Sequence, residues 1–177
     1  MATLRMLVTA CLLAFASAVA FAGCPTEGAA VPAPQRKAFR EFQAQVESGP
    51  FYRELAGKAG KAEACAIRRD GDNIKLTYTF AEEGRLEATV NPAIEFAEQR
   101  ASMRSITEQR ALALLHDAEK HAFGADGCGI EWKEPEKEVT DAPGSSAVVY
   151  RGDACNCQAR EVFEGGRITA LVLRSAC

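Results

Sequence analysis

The chain has 177 residues, 21 Lys and Arg against 24 Asp and Glu, a net charge of −3 and seven cysteines. A mildly acidic, charge-mixed composition offers no basic field to neutralise phosphates, which excludes nucleic acid as a partner. The length fits one domain with a sizeable core, or two small repeats packed together.

The first element is an export signal. Arg5 precedes an uncharged run, Met6 to Ala22, and no further charge occurs before Glu27. Ala20-Phe21-Ala22 supplies the small residues a signal peptidase requires. Cleavage there predicts a leader over 1–22 and a periplasmic or secreted mature chain with 20 basic and 24 acidic residues, net −4. A retained helix over this run would reach only about 25 Å against a ~30 Å hydrocarbon core, so no transmembrane span is expected in the mature protein. Phe21-Ala22-Gly23-Cys24 also approaches a lipobox, in which an acylated Cys24 becomes residue one, although Phe21 stands where that pattern has an aliphatic residue. A structural lipoprotein anchored through Cys24 is the alternative.

Cys11 leaves with the leader, and Cys24, Cys65, Cys128, Cys155, Cys157 and Cys177 remain. An even number in an oxidising compartment predicts three disulfides, and spacing alone does not select the pairing. Acylation of Cys24 would leave one thiol unpaired.

Residues 23–34 form a linker, with Pro25, Pro32 and Pro34 opposing regular helix. A domain over 35–177 follows, divisible into halves 35–91 and 92–177. Phe39, Phe42 and Val46 recur at helical spacing before Gly49, and Pro50 opens a shorter helix to about Gly57. A β-meander comes next. A hairpin turn centred on Asp70-Gly71 pairs Ile67 with Ile74 and Cys65 with Leu76. A three-residue loop, Glu82-Glu83-Gly84, pairs Phe80 with Leu86, Tyr78 with Ala88 and Leu76 with Val90. One face then carries Cys65, Ile67, Ile74, Leu76, Tyr78, Phe80, Leu86, Ala88 and Val90, while Lys75, Thr77, Thr79 and Glu87 point away. Such a one-sided sheet needs a helical cover.

Asn91-Pro92 predicts a helix start running through Ile94, Phe96 and Ala97, and Ser105 with Glu108 a capping box that restarts it. Ala111, Leu115, Ala118 and Ala122 then form an apolar stripe, widened by Leu112 and Leu114 and ended by Gly124. Strands return at Ile130 to Trp132, at Ala147 to Arg151, and in a hairpin of Cys155–Glu164 with Arg167–Ala176 about Gly165-Gly166. That hairpin pairs Phe163 with Ile168 and Ala159 with Val172, and a one-residue bulge would bring Cys177 within range of Cys155. The fold class is α+β: an antiparallel sheet, or two small sheets from a duplicated helix-plus-strands unit, packed on helices and cross-linked by disulfides. The layout resembles that of tandem helix-plus-sheet secreted inhibitors.

No catalytic constellation stands out. Cys155-Asn156-Cys157 places two thiols on one face of a strand, a spacing that suits structural bridges better than a redox thiolate at a helix N-terminus. His116 and His121 lie about 140° apart around a helix and cannot share a metal, and Asp117 with His121 gives two ligands where structural zinc takes four. Ser145 and Ser146 lack a nucleophile elbow, and Gly57-Lys58-Ala59-Gly60-Lys61 lacks the first Gly and final Ser or Thr of a phosphate loop. No cofactor or metal site is expected. The segment from Lys133 to Ser146 does not look like packing: it carries Glu134, Glu136, Glu138 and Asp141, with Pro135 and Pro143 punctuating it. A structureless connection of this length reads either as a solvated hairpin tip or as a recognition loop, whose partner would then be a basic protein or peptide. The expected function is a non-enzymatic exported protein binding another macromolecule, of inhibitor or immunity type; the alternative is an envelope hydrolase using dispersed carboxylates such as Glu82 and Glu83.

Overall fold

The computed structural model describes Cys24, residues 30–91, Ala93, residues 95–140 and residues 142–177. The predicted leader 1–22 and most of the predicted linker lie outside these residues, as do Pro92, Ile94 and Asp141. Of residues 23–34, Cys24 and Val31 are buried.

Helix α1 (Arg36–Ser48) buries Phe39, Gln43 and Val46, and Pro50 begins α2 (Pro50–Ala59), which buries Phe51, Tyr52 and Leu55. Strands β1 (Ala64–Asp70), β2 (Asn73–Phe80) and β3 (Gly84–Asn91) form the expected meander with its expected faces. The pairing differs by two residues: Ile67 faces Leu76 and Cys65 faces Tyr78, because the turn is Gly71-Asp72, with Gly71 at φ +60°. Glycine thus takes the first central position, as type II′ hairpins prefer, rather than the second. The next hairpin shifts alike, with Phe80 opposite Gly84, Tyr78 opposite Leu86 and Ile74 opposite Val90. There Ala81, at φ +43°, occupies a left-handed position. Gly84 serves a close approach instead, since a Cβ on it would lie 2.1 Å from the Ser102 carbonyl oxygen.

The predicted helix through Phe96 and Ala97 is a strand, β4 (Phe96–Met103), paired with β3 on one side. Asn91 caps a tight turn rather than a helix, its Oδ1 accepting from Ala93 N at 3.1 Å. Helix α3 (Glu108–Phe123) starts two residues later than the Ser105 box implies: Thr107 is its cap, the hydroxyl accepting from Arg110 N. It buries Ala111, Leu114, Leu115 and Ala118 and ends at Gly124.

Ile130 contributes only a single bridge, to Gly152. Three strands then accompany β8 (Arg167–Ala176): β5 (Glu136–Val139), β6 (Ser145–Arg151) and β7 (Gln158–Glu164). Cys155 and Asn156 do not belong to β7; both have positive φ, so the two cysteines sit in a turn and face different partners. A bulge between Val162 and Phe163 keeps Phe163 opposite Ile168 but moves Ala159 from Val172 to Leu173. Cys155 bonds Cys177, Cys128 bonds Cys157, and Cys24 bonds Cys65.

All eight strands form one antiparallel sheet in the order β1-β2-β3-β4-β8-β7-β6-β5. The protein is therefore α+β. The buried side chains of the three helices join one face of this sheet in a continuous core, from Phe39 and Leu55 through Phe80 and Leu86 to Leu115, Leu171 and Leu173. Val162, Ala170 and Val172 form a separate small cluster on the opposite face. No helix among the described residues is long and apolar enough to cross a membrane.

Candidate functional site

The face of the sheet that the helices leave uncovered is ordered by strand register. One row across it reads Glu136, Val149, Arg160, Val172, Arg100 and Glu87. A second, two residues along, reads Arg151, Gln158, Arg174, Glu98 and Thr89. On the other flank lie Glu138, Ala147, Val162, Ala170 and Ser102. Side chains two apart on a strand share a face, so these rows form one surface. Its centre is apolar and shielded, with Val149 at 0% and Val172 at 6% exposure, although both lie outside the core that the described helices join. Long neighbouring side chains supply the shield.

A hollow of about 300 Å³ opens here, floored by Val162 and Val172 and rimmed by Glu98, Arg100, Arg160 and Arg174. The charges around it are unevenly satisfied. Arg160 reaches Glu138 at 3.4 Å, Arg151 reaches Glu136 at 2.9 Å and Glu138 at 2.5 Å, and Lys75 and Arg85 share Glu87. Among the described residues, Arg100 and Arg174 make no ion pair; the Arg174 guanidinium lies 5.2 Å from the centre of the Phe96 ring.

The acidic segment is not structureless. Glu136 and Glu138 belong to edge strand β5, hydrogen-bonded to β6, and their carboxylates are taken up by Arg151 and Arg160. Glu134 is exposed ahead of the strand, and Asp141 lies outside the described residues. Sequence reasoning missed the strand because four residues with three charges carry no readable alternation; Val139, the one apolar member, is 92% exposed.

A second polar cluster lies on the helical side. Glu119, 5% exposed, accepts from Cys128 N at 3.0 Å, Ile130 N at 3.3 Å and Trp132 Nε1 at 3.2 Å. Trp132 is stacked on His116 with ring centres 3.8 Å apart and lies 5.1 Å from Tyr150. His121 is elsewhere, its Nε2 2.9 Å from the Gln45 carbonyl oxygen, so the histidines are committed to separate contacts. The Tyr150 hydroxyl donates to Glu161 at 3.4 Å. Burial, followed by the Glu161 carboxylate, pushes the Tyr150 phenol up to about 12. Glu161, 5% exposed, is itself raised above the usual carboxylate range, first by burial and then by Glu108, against the lowering effect of the Tyr150 hydrogen bond.

Because the folded-state pKa of Glu161 exceeds its unfolded value near 4.5, folding takes up a proton between the two values. Stability falls as pH rises through that window and stays lower above it. Glu161→Gln is therefore expected to be more stable than the parent near neutral pH, with the difference closing below about pH 4. Urea midpoints measured across this range check it, and a variant less stable at neutral pH contradicts it.

No protein-family model matches the chain, and no curated protein or solved structure matches it significantly.

Proposed function

We propose that the protein is an exported, non-enzymatic binding protein, periplasmic or secreted, that engages another macromolecule through the uncovered face of its sheet. The observation that carries this reading is the one-sided architecture: the described helices and the main hydrophobic core lie on one face of the sheet, and the other presents rows of long polar side chains around a hollow with only a small buried apolar centre. Partner recognition on such a face needs little reorganisation, because antiparallel strands fix the spacing of the contacting side chains.

The export half of the reading is supported by the leader and by three disulfides. The Cys24–Cys65 bridge favours plain cleavage over lipidation, since one sulfur cannot carry both a thioether-linked lipid and a disulfide. The strand order supports a duplicated unit. β1–β4 and β5–β8 are each a four-stranded meander preceded by helix, and they meet with their last strands, β4 and β8, side by side. A partner lying across that seam would touch both halves. The envelope-hydrolase alternative rested on carboxylates such as Glu82 and Glu83, of which Glu82 is exposed and paired with Arg104 at 2.9 Å; Glu161, beside Tyr150, is nearly fully buried, where a substrate has little access.

The test is a photo-cross-linker placed singly at Thr77 or Ser102 on the uncovered face and at Arg40 or Asp117 on the helical side. In the exported protein, adducts are expected from Thr77 and Ser102. Adducts confined to Arg40 and Asp117, or none from any position, overturn the reading.

A further inference from the structure

Resting on that reading, we infer that the hollow between β4, β8 and β7 is a receptor for a carboxylate side chain of the protein partner, held between Arg100 and Arg174 over the Val172 floor. Arg100 is directly opposite Val172 on β4, Arg160 is directly opposite it on β7, and Arg174 is two residues further along β8 on the same face. Three guanidinium groups therefore surround one small apolar side chain.

Their existing partners distinguish them. Arg160 is committed to Glu138 and to the Gln158 amide oxygen, at 3.0 Å. Arg100 lies opposite Glu87 in the register, yet Glu87 is occupied by Lys75 at 2.7 Å and Arg85 at 3.0 Å. Arg174 lies opposite Glu98 but is drawn toward Phe96. Among the described residues these two guanidinium groups thus make no ion pair, and they stand beside an apolar floor, where a charge-assisted, bidentate hydrogen bond is strong. The acidic strand points to the same polarity of partner. With Glu136 and Glu138 neutralised by Arg151 and Arg160, a basic partner would have to break these pairs, whereas a carboxylate entering beside Arg100 and Arg174 breaks none among the described residues.

The volume bounds the occupant. About 300 Å³ is the lower end of the roughly 300–1,000 Å³ range of ligand pockets, enough for an acidic side chain and an apolar neighbour. Val162 and Val172 would meet the apolar neighbour, so the recognised element is a short segment pairing Glu or Asp with Val, Ile or Leu. Glu98, on the rim, disfavours a second carboxylate and so limits acceptance of uniformly acidic chains.

The probe is the blocked peptide acetyl-Ala-Val-Glu-Val-Ala-amide, titrated into the ¹⁵N-labelled, disulfide-intact protein beside its Gln counterpart. Saturable shifts are expected at the Val172 and Arg174 amides and the Arg100 and Arg174 Nε–H groups, with the Gln peptide binding at least tenfold more weakly. Arg100→Ala with Arg174→Ala should lower affinity for the Glu peptide at least tenfold. Glu98→Gln, which removes a charge without removing a guanidinium, should tighten it and reports even if the double variant misfolds. Equal binding of the two peptides, shifts centred on another surface, or an unchanged or weakened affinity in Glu98→Gln overturns the inference. If this occurs while Thr77 and Ser102 still cross-link, only the carboxylate receptor fails; loss of those cross-links removes the binding face itself.

Discussion

Replacing Cys128 and Cys157 together with alanine is expected to lower the unfolding free energy by about 3–4 kcal/mol. The bridge spans 29 residues and ties the loop after α3 to the turn before β7. Without it the unfolded chain regains the freedom of a loop of that length, which accounts for most of the loss. The rest comes from packing, because Cys157 is fully buried and Cys128 nearly so. Equilibrium unfolding in urea, with the other two bridges kept oxidised, measures the difference. A loss below about 1 kcal/mol would mean that the loop is held without the covalent bond. Removing Cys155–Cys177, whose cysteines are both exposed at the edge of the fold, should cost less, because no core void accompanies the lost cross-link.

The second large effect is expected at Glu119. Its carboxylate is the acceptor for two backbone amides and the indole N–H of a loop that has almost no secondary structure of its own. Glu119→Ala leaves three donors at a buried position without a partner, and at about 1 kcal/mol or more each the total reaches about 3 kcal/mol. Glu119→Gln keeps an acceptor oxygen and should recover part of it. Gly127 belongs to the same arrangement, since a Cβ on it would lie 2.5 Å from Glu119 Oε1. Trp132 is the only tryptophan and is stacked on His116, so its fluorescence reports the loop directly. In Glu119→Ala its emission should change at urea concentrations where the far-ultraviolet signal is still native. Coincident transitions would show that Glu119 supports the whole fold rather than this loop. Cys128 takes part in both arrangements, through its sulfur and through its amide, so the two losses should not add.

The helices and most of the strands were legible because their signals are local. Phe39, Phe42 and Val46 mark α1, Ala111 to Ala118 mark α3, and alternation from Ile74 to Phe80 marks β2 and its buried face. The registers were legible only to within two residues. A slip of two leaves every side chain on its own face, so burial alone cannot distinguish the alternatives, and turn conformation at Gly71 and contact at Gly84 decide. The candidate site was less legible still. Arg100, Arg160 and Arg174 are scattered over three strands, and β4 carries a weak pattern that its neighbours β3 and β8 convert from expected helix to strand.

By itself the chain's order of residues determined an α+β composition and which side of the meander is buried, both of which follow from short-range periodicity, and it supplied the expectation of an oxidising destination through the predicted leader and the cysteine count. Tertiary structure alone decided the pairing of the cysteines, the joining of both meanders through β4 and β8, and the neutralisation of the acidic strand by Arg151 and Arg160. Each of these depends on contacts between residues remote in sequence, whose meeting is fixed by the packing of the whole sheet and leaves no trace in local spacing.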